Sequence, residues 1–89
     1  MTRERFEEIF EKTDTDFKKH KKLGDHTLAG LNIISKYIPN YVICGADHDI
    51  LYSVNIDELI KAGIVEEDVI LLRELNFIIN GGDYLASYV

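Results

Sequence analysis

Eighty-nine residues, 46% hydrophobic and 29% charged with a single proline, make one folded domain and exclude a disordered, collagen-like or low-complexity chain. Surface scaling gives a folded chain of this size about 5,300 Å² of exposed area against about 14,800 Å² unfolded, so a small but real core is expected. The formal charge of −6 is unevenly spread: residues 1 to 22 hold seven Lys or Arg against six Asp or Glu, residues 23 to 89 three against ten, and that acidic body disfavours nucleic-acid phosphates and anionic lipid heads.

In chain order, Phe6, Ile9, Phe10, Thr13 and Phe17 recur at spacings of three and four, the stripe of an amphipathic helix over about residues 3 to 21. Thr2 is its N-cap and Gly24 its left-handed terminator. Lys18-Lys19-His20-Lys21-Lys22 then falls in the last turn, where cations meet the negative end of the helix dipole; the competing reading is a phosphate contact. Asp25 caps a second helix with Leu28, Leu31, Ile34, Tyr37 and Ile38 as its buried face, stopping at Ile38 because Pro39 disfavours helical geometry before it. Gly30 inside that helix costs about 0.8–1 kcal/mol relative to alanine, which implies a close neighbour, expected to be the first helix.

The pattern then turns to strands. Tyr41-Val42-Ile43-Cys44 and Asp49-Ile50-Leu51-Tyr52-Ser53-Val54 read as a strand pair around Gly45-Ala46-Asp47-His48. Asn55 or Ser53 caps a short helix, Ile56 to Ala62, ended by Gly63. Glu66-Glu67-Asp68 opens a fourth helix running to about Leu75, with Val69, Leu72 and Leu75 on one face. Asn76 to Asn80, Gly81-Gly82 and Asp83 to Val89 complete the chain as strand, turn and strand. The order ααββααββ predicts an α+β domain: an antiparallel sheet of three or four strands with helices mainly on one face.

No apolar run approaches the roughly 18 residues of a membrane span, and Met1-Thr2-Arg3-Glu4-Arg5 leads into acids instead of the apolar stretch of a signal peptide. With a lone cysteine, Cys44, that can close neither an internal disulfide nor a Cys-based zinc site, a cytoplasmic protein is expected. Cys44 lies in an apolar run and reads as a small core hydrophobe. Asp47-His48-Asp49 is the most reactive-looking tripeptide, yet successive strand residues point to opposite faces and only His20, His26 and Cys44 remain as further nitrogen or sulfur donors. Turn hydrogen bonding is the simpler role for these residues, so no catalytic group, metal or cofactor is expected. The tyrosines allow two arrangements. Either they cover the core and expose only their hydroxyls, or the Leu85/Ser87/Val89 face of the last strand is buried and Tyr84 and Tyr88 join Tyr52 in an exposed patch.

The run His48-Asp49-Ile50-Leu51-Tyr52, the segment Glu66-Glu67-Asp68-Val69 with Leu72, Leu75-Asn76-Phe77, and the ending Tyr84-Leu85-Ala86-Ser87-Tyr88-Val89 resemble small uncharacterised bacterial and phage proteins over residues 45 to 89. Where this chain has Asn76-Phe77 that group often has Gly-Trp, and a Trp often stands near Tyr84. The resemblance implies an α+β fold and a mobile-element origin, and carries no activity, ligand or catalytic residue.

These observations point to a non-enzymatic acidic module that binds a basic protein surface. A phage-derived inhibitor or modulator of host nucleic-acid machinery, anti-defence included, is the specific form this takes. Asp57, Glu58, Glu66, Glu67, Asp68 and Asp83 supply the field, with Tyr84 and Tyr88 as anchors. The partner is then a cationic protein, such as a nucleic-acid-binding one, with no direct contact to nucleic acid or membrane. Two alternatives stand beside it: a homodimer completed at its sheet edge or aromatic face, and a small metal-dependent hydrolase centred on Asp47, His48, Asp49 and His26.

Overall fold

Three of the four α-helices begin where a side-chain oxygen takes up amides of the first turn. Thr2 accepts from the Arg5 amide and opens α1 (Arg3–Lys12), Asp25 accepts from the Thr27 and Leu28 amides and opens α2 (His26–Ser35), and Asn55 accepts from the Asp57 amide and opens α3 (Ile56–Lys61). The fourth, α4 (Glu66–Glu74), has no side-chain cap at Val65; Glu66, Glu67 and Asp68 in its first turn meet the positive end of the dipole instead. The computed structural model describes residues 1–40 and 42–88, with Phe17 described in its backbone only.

Both α3 and α4 end in the same way. A left-handed residue, Gly63 (φ 91°) or Asn76 (φ 69°), follows the cap, and the next amide reaches back to close the last turn: Ile64 N to Leu59 O and Phe77 N to Leu72 O, each 3.1 Å. This is the Schellman arrangement, and it throws the following apolar residue inward. Ile64 and Phe77 are both buried.

The strands are β1 (Gly45–Asp47), β2 (Ile50–Asn55), β3 (Ile78–Asn80) and β4 (Tyr84–Tyr88), in the sheet order β1-β2-β4-β3 with every neighbouring pair antiparallel. The chain leaves β2 through α3 and α4, returns on the far edge as β3, and turns inward so that β4 fills the centre. This is the expected α+β fold. The core, including Phe6, Ile34, Val54, Ile56, Leu59, Leu72, Phe77 and Leu85, is sealed from solvent, and the Phe6 and Phe10 rings stack at 5.2 Å. Its folded surface, 5366 Å², matches the size expectation. Among the described residues no helix is long and apolar enough to cross a membrane.

Six local expectations are corrected. The first helix stops at Lys12 because Thr13 is extended (φ −95°, ψ 127°) and Thr13-Asp14-Thr15-Asp16 offers side-chain oxygens that compete with helical bonding. The chain resumes as two short 3-10 turns within Phe17–Leu23, broken by a kink at His20 (φ −106°, ψ 28°) and ending at Gly24 (φ 81°). Its basic cluster grips α4, with His20 Nε2 3.0 Å and Lys19 Nζ 3.4 Å from the Glu74 carboxylate. Secondly, Leu31 and Ile34 are buried as expected and Tyr37 and Ile38 pack half-buried after the end of α2, but Leu28 lies outside and Thr27 takes the inward place. Thr27, Gly30, Leu31 and Ile34 are buried and Leu28 is 57% exposed, because the Thr27 hydroxyl shares a 2.8 Å hydrogen bond with buried Ser87 of β4.

The remaining four corrections concern neighbours and element bounds. Gly30 faces Phe77, not α1: a Cβ at residue 30 would lie 2.0 Å from the Phe77 ring. The β1–β2 hairpin turns at His48-Asp49, with His48 at φ 52°, so Gly45, Ala46 and Asp47 are strand. Tyr41 lies outside the described residues, and Ile43 and Cys44 precede the ladder on the sheet's outer edge, both exposed, so Cys44 is not a core residue. Finally, Asn76 and Phe77 belong to the α4 cap, and β3 starts at Ile78.

Two outcomes follow. Gly30→Ala, which at an exposed helix position gains helix propensity, destabilises this protein by about 2 kcal/mol because the ring it strikes is fully buried and has nowhere to go; urea denaturation measures it, and Phe77→Leu in the same chain recovers part of the loss. The hydrogen bond from His20, followed by the nearby Lys19 charge, holds the Glu74 carboxyl below its ordinary range. Its contribution to stability is therefore present above that range and is lost as pH falls from about 4.5 downward, so wild type and Glu74→Gln converge in melting temperature in acid.

Candidate protein-interaction surface

Most of the carboxylates expected to form an outward field are bound by cations of this chain. Arg3, in the first turn of α1, donates from Nη1 to Asp57 at 2.9 Å and from Nη2 to Asp83 at 3.0 Å and to the Gly82 carbonyl, tying the start of α3 to the β3–β4 turn. Its Nε lies 3.5 Å from Glu7, an ion-pair distance without a hydrogen bond. Asp83 and then Asp57 raise the Arg3 pKa. Two residues on, Arg5 grips both oxygens of Glu66 at 3.1 and 2.7 Å and also holds Glu8, which raises the arginine and lowers both acids. Asp68 receives Lys36 Nζ at 3.1 Å and the Tyr37 hydroxyl, whose pKa is raised first by burial and then by that carboxylate. Glu58 and Glu67 are exposed on α3 and α4.

Of the six acids, then, Asp57, Asp83, Glu66 and Asp68 join α1 and α2 to the starts of α3 and α4 and to the last turn. No sequence signal located these partners. The contacts span 31 to 80 residues, and an arginine early in an acid-rich helix reads locally as an i,i+4 partner.

Tyr84 and Tyr88 take the exposed arrangement, with Tyr52 half-buried beside them and Ala86, on the same face between them, fully buried. Helices cover the Leu85 and Ser87 side of β4, both residues being fully buried, while Tyr84 and Tyr88 are 40% and 51% exposed. Val89 lies outside the described residues. Directly opposed residues of antiparallel strands share a face. The register therefore sets Asp47, Ile50 and Tyr88 in one row across the open face, Gly45, Tyr52, Ala86 and Ile78 in the next, and Tyr84 beside Asn80 in a third. A groove of about 530 Å³, lined by Cys44, Gly45, Tyr52, Asn80, Asp83 and Tyr84 among others, crosses this face. Its walls are mainly aromatic ring and backbone, with Asp83 at the rim.

The reactive-looking tripeptide is the hairpin turn. Asp47, His48 and Asp49 are all exposed, His48 with 91% of its side chain in solvent and its Nε2 3.7 Å from Asp47. His26 lies at the start of α2 with Nε2 3.3 Å from the Tyr88 carbonyl. Among the described residues no three His, Cys, Asp or Glu side chains converge on a point that could hold a metal ion. No protein-family model, curated protein or solved structure matches the chain.

The arginine clamp makes a direct prediction. Arg3→Gln releases Asp57 and Asp83 and lowers stability by about 0.5 kcal/mol, a small loss because the pairs are largely solvated, and one that shrinks in high salt. Urea denaturation at low and high salt measures it.

Proposed function

We propose that this protein is a non-enzymatic binding module that docks a basic protein surface against the open tyrosine face of its sheet. The observation that carries the reading is the register that places Tyr52, Tyr84 and Tyr88 on one sheet face, Tyr84 and Tyr88 exposed and Tyr52 half-buried beside them, with Asp47 in the same row as Tyr88. Tyrosine suits such a surface because its ring gives contact area at low conformational cost and its hydroxyl tolerates water before docking. A lysine or arginine laid over these rings gains cation–π attraction, and Asp47, in the row of Tyr88, supplies a charge to steer it. The net charge of −6 favours such a partner at long range.

On this reading the six carboxylates first assigned to binding divide in role. Asp57, Asp83, Glu66 and Asp68 act chiefly in holding the helices together, and Glu58 and Glu67 add to the general field. Nucleic-acid-binding proteins carry cationic surfaces of the required kind, which keeps modulation of such machinery, in a cytoplasmic setting, as the specific proposal.

The test uses a fluorescent arginine-rich peptide and anisotropy. Wild type binds, more weakly as salt rises, and the double variant Tyr84→Ser/Tyr88→Ser binds about tenfold more weakly with its melting temperature within a few degrees of wild type. Equal binding by that variant, or loss of the tyrosine surface into a dimer seen by sedimentation, overturns the proposal.

A further inference from the structure

A second surface lies on the opposite edge of the sheet. The outer side of β3 meets no other strand among the described residues, because β3 is the last strand in the order β1-β2-β4-β3. Beside it runs a groove of about 440 Å³ between α1 and the edge, lined by Glu7, Phe10, Glu11, Arg73, Ile78 and Ile79. Phe10 is only 8% exposed and forms part of its floor. Glu7 and Glu11 stand one turn apart on the α1 wall, a like-charged i,i+4 pair that disfavours the helix and is relieved by a cation between them. Glu7 is shared with Arg3 at 3.5 Å, and Glu11 makes no ion pair among the described residues. Across the groove, Arg73 lines the opposite wall, its Nη1 donating to the Phe77 carbonyl at 2.9 Å.

We infer that this groove accepts an extended basic segment of a partner protein as an added strand on β3. An unpaired edge supplies backbone donors and acceptors, and alternation fixes what each side chain meets. Residues on the helix side of the added strand lie over Phe10 and Ile79 and reach Glu7 and Glu11. Lysine fits that position, its stem covering the ring and its ammonium lying between the carboxylates. Residues on the other side continue the open face past Ile78 and are apolar. The segment is therefore an alternation of lysine with a β-branched residue. The inference uses neither Tyr84 nor Tyr88 and stands or falls apart from the tyrosine surface.

The probe is the blocked hexapeptide Lys-Val-Lys-Val-Lys-Val, titrated into the ¹⁵N-labelled protein. The Ile78, Ile79 and Asn80 amides shift and saturate, the Glu-Val counterpart produces no such shifts, and a proline at the fourth position of the basic peptide abolishes them. Glu11→Gln weakens binding about threefold and Glu7→Gln/Glu11→Gln about tenfold, whereas Tyr84→Ser/Tyr88→Ser leaves it unchanged. Equal binding of the Glu-Val peptide, shifts confined to the tyrosine face, or occupation of the β3 edge by a second copy of the chain overturns the inference.

Discussion

A phenyl ring fills the space that a side chain at residue 30 would need. Gly30 is the point where α2 comes down onto the junction of α4 and β3, and Phe77 is the residue it meets. The contact exists because Asn76 adopts a left-handed conformation, which ends α4 with a Schellman cap and turns Phe77 inward one residue before the strand begins. Three residues earlier on the same helix, the Thr27–Ser87 hydrogen bond ties α2 to the central strand. Helix position and sheet position are thus set together at one close approach.

Around that packed centre the charged groups divide into structural and exposed sets. Arginines 3 and 5 reach from one end of α1 to the starts of two other helices, where carboxylates already sit favourably against the helix dipoles. Such solvated pairs add little stability individually, but they share partners, and Arg3 alone engages residues from α3 and from the β3–β4 turn. One consequence is functional. The carboxylates most engaged in these contacts are the least able to meet a partner, which shifts attention from the acidic helix starts to the sheet.

The sheet itself is asymmetric in what it exposes. One face carries Leu85 and Ser87 into the core, and the other presents tyrosine, isoleucine and a row-sharing aspartate to water. Its edges are short: three residues in β1 and three in β3. Short edges limit uncontrolled pairing between copies, and at β3 the wall of α1 carrying Glu7 and Glu11 stands beside the edge.

The element order, the helix caps at Thr2, Asp25 and Asn55, the left-handed stop at Gly63 and the closing hairpin were all legible from local chemistry, since each depends on residues within one turn of one another. The break at Thr13 and the cap at Asn76 are also local. They escaped because a hydrophobic stripe continues through the first, and asparagine followed by Phe77-Ile78-Ile79 reads as the start of a strand at the second. What neighbours Gly30, which face of β4 meets water, where Cys44 lies and which cation holds each carboxylate were decided only in three dimensions. These are contacts between residues tens of positions apart, and periodicity says that a face must be covered without saying what covers it.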